Sequence, residues 1–144
     1  MTALLGTVGV WVALAGALGA SVMLILTLGI RQDERHNRAF PWVAVMVSGC
    51  VVAVVAMEIA LLTDNFSLAY VAANSTKTTP VLYKFATLWG ALEGSLLLWA
   101  LVLCLYVSAV SLNFRHQISD RLVAWALLTM LVVCVFFFGL LAGP

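Results

Sequence analysis

Few side chains in this sequence can do acid–base, nucleophilic or ligand chemistry, and they sit in telling places. Glu58 and Glu93 each stand at the edge of a long uncharged run, and Lys84 lies a short way before Glu93. A carboxylate there either reaches headgroups and water or lines a polar pocket. Glu58 is about 9 Å along a helix from the far end of its run, so the interface, not the midplane, is its expected level. Three cysteines, Cys50, Cys104 and Cys134, fall near the middle of apolar runs without C-x-x-C spacing. They form no disulfide framework. A soft-metal site would require three helices to align them, whereas buried cysteine is ordinarily a small apolar filler, so core thiols are expected. His36 and His116 sit among arginines in short loops and read as solvated side chains. No nucleophile–base pair or metal-ligand spacing is evident, so this chain alone is not expected to be catalytic.

The elements that must position these groups are membrane helices. The 144 residues are 65% hydrophobic and 9% charged, with a mean hydropathy of +1.14, far outside the soluble range. A net charge of +1 offers no field for nucleic acid. Residues 1–30 carry no charged side chain, lack a basic leader and are too long a run for a signal peptide, so a retained first span is expected. From Ser95 to Leu112 no residue is charged, and those residues cover about 27 Å as a helix. The expected fold is all-α integral membrane, with spans at about 3–30, 42–63, 94–112 and 122–142. Pro41 suits the first turn of the second.

The connection at about 64–93 is long for a membrane bundle. After Thr79 and Pro80, the residues Val81, Leu82, Phe85, Leu88 and Trp89 recur at helical spacing, which predicts an amphipathic helix in the interface. Gly90 and Gly94 would let the backbone turn or a neighbour approach. Trp89 suits the headgroup level, while Trp99 lies deeper. Orientation follows from counting: the two short loops hold five Arg and the long connection two Lys, which places the long connection outside. The two histidines are then on the inner side.

This connection and the following helix carry Phe66 to Ser75 (FSLAYVAANS), Pro80, the pair Tyr83 and Lys84, and Trp89 to Trp99 (WGALEGSLLLW); a composite motif of this length is specific. On these residues the sequence resembles CcmF-type cytochrome c haem lyases. The resemblance covers essentially the whole chain and matches the amino-terminal part of a longer family protein. It implies a subunit that takes part in joining haem to apocytochrome c, in a bacterial inner membrane or, for a split organellar form, the mitochondrial one. The implied partners are the remainder of the lyase, a haem chaperone, and apocytochrome c with its thiol-handling partners, besides membrane lipid. Candidates for facing the haem chamber or a partner are Tyr70, Asn74, Tyr83, Lys84, Trp89, Gly90, Glu93, Gly94 and Trp99, with Glu58 in an outer polar cluster. The family's haem b ligands, histidines beside a tryptophan-rich loop, have no counterpart here, so no ligand is carried over. The competing class is a small four-helix subunit of a transporter or respiratory complex, structural in role. Transporters, however, usually need ionisable groups at the midplane, and none is evident.

Overall fold

The structure is a computed structural model that describes residues 2–29, 39–63, 86, 90, 92–115 and 121–143. These form four helices: α1 (Thr2–Gly29), α2 (Ala39–Leu62), α3 (Leu92–Asn113) and α4 (Arg121–Ala142). All four are long and apolar enough to cross a membrane. A helix is the state such runs must take in hydrocarbon, because it satisfies every backbone N–H and C=O within the segment. Hydroxyls follow the same rule. Ser21 Oγ donates to the Ala17 carbonyl at 2.8 Å, Thr27 Oγ1 to Met23 at 2.7 Å and Thr129 Oγ1 to Trp125 at 2.9 Å, each bond staying inside its own helix.

α2 starts at Ala39, which puts Pro41 in the first turn, where its missing N–H costs no helical bond. α3 starts at Leu92, so Glu93 and Gly94 lie inside its first turn rather than ahead of it. An acidic residue in the first turn is favourable to a helix start, because the N-terminal end of the helix dipole is positive. The proposed interfacial helix lies outside the described residues.

The helices close into a ring in which α1 packs on α2 and α4, and α3 packs on α2 and α4. Their core positions repeat at intervals of three and four: Ala13, Ala17, Ala20 and Leu24 in α1; Val43, Met46, Cys50 and Ala53 in α2; Leu97, Ala100, Cys104 and Val107 in α3; Leu127, Leu131, Cys134 and Phe138 in α4. That is the spacing of knobs-into-holes packing. The opposite faces, with Leu4, Val8, Trp11, Val51, Leu105 and Phe136, are exposed.

The α1–α2 seam is the tightest. A Cβ on Gly9 would come within 2.8 Å of the Ala53 nitrogen and the Gly49 oxygen, and one on Gly16 would strike the Met46 backbone. Pairing residue 9 with 49–53 and residue 16 with 46 makes the two helices antiparallel. With no hydrophobic drive between helices in lipid, close backbone approach at small residues supplies the association through dispersion contacts. Trp42 completes the seam by laying its ring over Gly19, where a side chain would collide with it.

Candidate functional site

The ends of α2 and α3 that flank the long connection form one edge of the bundle. α2 runs toward this edge and finishes at Leu62, α3 runs away from it starting at Leu92, and the two helices pack side by side. Glu58, one turn before the end of α2, and Glu93, in the first turn of α3, therefore belong to the same end of the bundle. Glu58 is half-buried, and its Oε2 is shielded from solvent with no hydrogen-bond partner among the described residues. A buried oxygen without a donor costs about 1–3 kcal/mol, so this carboxyl calls for a donor from outside the described helices.

Of the other sequence candidates, Gly94 is buried in α3, while Gly90 is exposed and a Cβ there would meet no described atom within 4 Å. The two glycines thus differ: Gly94 is buried, and Gly90 has open space around it. Trp99 is 61% exposed and faces away from the bundle core. Tyr70, Asn74, Tyr83, Lys84 and Trp89 lie outside the described residues, as does the side chain of Glu93.

One feature was not singled out from sequence. Tyr106, also 61% exposed, lies seven residues after Trp99 and shares its face of α3, with exposed Val102 between them. The intervals of three and four were legible; what concealed the stripe is that core-facing and lipid-facing positions of α3 are equally apolar. The result is an outward aromatic ridge carrying an indole N–H and a phenol O–H at membrane depth.

The described residues do not fit a haem. They include no histidine, and the thiols of Cys50, Cys104 and Cys134 are completely enclosed by core side chains. Among the described residues, no group of three Cys, His, Asp or Glu side chains is arranged to hold a metal ion. What the described residues at this end of the bundle offer chemically is one buried carboxyl oxygen without a hydrogen-bond partner among them.

No protein-family model matches the chain. Individual proteins do. It is 51% identical over 71 residues to the cytochrome c-type biogenesis protein CcmF of Pseudomonas aeruginosa, a match covering 49% of this chain and 11% of that protein. To the Escherichia coli protein of the same name it is 39% identical over 128 residues, covering 84% of this chain and 19% of the relative. Among solved structures, a cytochrome c haem lyase CcmF superposes with a TM-score of 0.85 at 34% identity, over 99% of this chain and 24% of that one. The chain thus spans between about a tenth and a quarter of the proteins it matches. With four apolar helices in the arrangement of the solved lyase and a shared sequence along nearly all of its length, the chain belongs to the CcmF family of cytochrome c-type biogenesis proteins and corresponds to its amino-terminal portion.

Proposed function

We propose that this chain is the amino-terminal membrane segment of a haem lyase subunit and takes part in covalent attachment of haem to apocytochrome c. The observation that carries this reading is the superposition on the solved lyase over 99% of the chain at 34% identity. Within that role the segment acts as scaffold and docking surface. The connection at 64–93, with Tyr70, Asn74, Tyr83, Lys84 and Trp89, forms a shelf over the ends of α2 and α3. Lys84 pairs with Glu58 or Glu93 and so provides the donor that Glu58 Oε2 lacks. Such a pair at a wet interface contributes only about 0–1 kcal/mol to stability, which makes positioning its purpose. Haem, a haem chaperone and apocytochrome c are handled by the complete lyase, and haem ligation falls to residues elsewhere in it.

The test is a chimera. A CcmF lyase whose own amino-terminal segment is replaced by this chain should still mature cytochrome c, read as covalently bound haem on gels of membrane and periplasmic fractions. A chimera that accumulates normally but leaves apocytochrome without haem would remove the proposal.

Orientation is part of the same reading, with the shelf on the periplasmic side of a bacterial inner membrane. It rests on the excess of arginine in the two short loops. In intact cells, a cysteine replacing Thr76 should react with a membrane-impermeant maleimide, and one replacing Gln32 should react only after permeabilisation. The opposite labelling pattern would invert the topology and place the shelf where no periplasmic partner reaches it.

A further inference from the structure

The cysteines of α2, α3 and α4 meet at the centre of the bundle. Cys50, Cys104 and Cys134 are each 0% exposed and free of disulfide, and Cys104 stands within side-chain hydrogen-bonding reach of both others. Cys104 neighbours both other thiols, and the three belong to one buried core cluster built by three helices. Among the described residues no trio of Cys, His, Asp or Glu is arranged around a metal position, so the geometry favours chemistry between adjacent pairs. Two thiol pairs share one sulfur.

We propose that Cys104 is the pivot of an oxidisable intramembrane thiol triad, forming a disulfide with either Cys50 or Cys134 and leaving the third thiol reduced. The oxidant class is a hydrocarbon-soluble diazene that accepts two electrons and two protons. The Cys104 sulfur adds to one nitrogen of the N=N bond, and its proton goes to the other. The neighbouring thiol then attacks the Cys104 sulfur, the S–N bond breaks, and the second proton leaves with the released nitrogen. One S–S bond replaces two S–H bonds, and the diazene departs as a hydrazine. Enclosure makes the first step slow and gated by helix motion. It also keeps water from the adduct, so the adjacent thiol captures it. Because one sulfur makes one disulfide, oxidation ties α3 to α2 or to α4 but not to both, and the spare thiol can exchange the bridge between them. The α2–α3 tie joins the two helices that carry Glu58 and Glu93.

The experiment uses the chain in its native membranes, treated with a lipophilic diazenedicarboxamide. Thiols are then alkylated with N-ethylmaleimide in denaturant, and the protein is cut with trypsin. Each cysteine falls on its own tryptic peptide, 39–77, 85–115 or 122–144, so every bridge is identified by mass. The expected map contains 85–115 joined to 39–77 and 85–115 joined to 122–144, each lighter by two hydrogens than its separate parts, with the third cysteine alkylated. Cys50→Ser should leave only the Cys104–Cys134 bridge, Cys134→Ser only the Cys50–Cys104 bridge, and Cys104→Ser none. Three alkylated cysteines after oxidation, a Cys50–Cys134 bridge, or a bridge that survives Cys104→Ser would overturn the proposal. The wild-type map decides alone if Cys104→Ser fails to fold.

Discussion

Leucine in place of Gly49 should separate α1 from α2 and leave a protein that enters the membrane but no longer holds its bundle together. A Cβ at this position would lie 2.5 Å from the Ala13 nitrogen and 2.7 Å from the Gly9 oxygen. Both obstacles are backbone, so no rotamer change relieves the clash. Overpacking a core costs typically about 1–3 kcal/mol when side chains can yield. With backbone on both sides the cost here should reach or exceed the upper end of that range. Gly16→Leu should behave alike, since its Cβ would strike the Met46 backbone. Gly139→Ala is the control, because a Cβ there has nothing within 4 Å. Thermal aggregation of the detergent-solubilised protein is the readout: a large drop in midpoint for the seam variants, none for the control. A Gly49→Leu protein that melts like wild type would show that the α1–α2 contact is not what holds the bundle.

The second large effect concerns the shelf. In the chimeric lyase, Trp89→Ala should lower cytochrome c maturation severely and Glu93→Gln more mildly, with both proteins inserting and accumulating normally. A tryptophan at the centre of a docking surface is worth about 2 kcal/mol or more, roughly thirtyfold in partner affinity. Glu93→Gln keeps size and hydrogen-bonding capacity while removing charge, and a wet ion pair contributes about 1 kcal/mol at most. Glu58→Gln separates positioning from docking: if Lys84 pairs with Glu58, this variant should resemble Glu93→Gln or exceed it, since the Glu58 oxygen is the one found buried without a partner. Unchanged maturation in Trp89→Ala and Glu93→Gln, at normal protein level, would reduce the segment from Trp89 to Trp99 to an ordinary helix entry.

Sequence alone determined the four helices, because an uncharged run long enough to cross hydrocarbon has no other way to satisfy its backbone. It also carried the family, through the composite motif from Phe66 to Trp99, and it set apart Glu58 and Glu93 as charges at the margins of apolar runs. The faces of those helices were not legible in the same way. In a soluble bundle the core stripe stands out against polar residues. In lipid the outward side chains are as apolar as the inward ones, so Cys50 inside and Val51 outside give the same signal. Only packing decided that Gly9, Gly16 and Gly49 lie on one seam, that Trp99 and Tyr106 face outward together, and that one oxygen of Glu58 is sealed from solvent. The three thiols make the point most directly. Their similar depth was readable from position along each run, but bringing them into contact took the rotation of three helices about their axes, and that rotation is set by how small and large side chains interlock across the core.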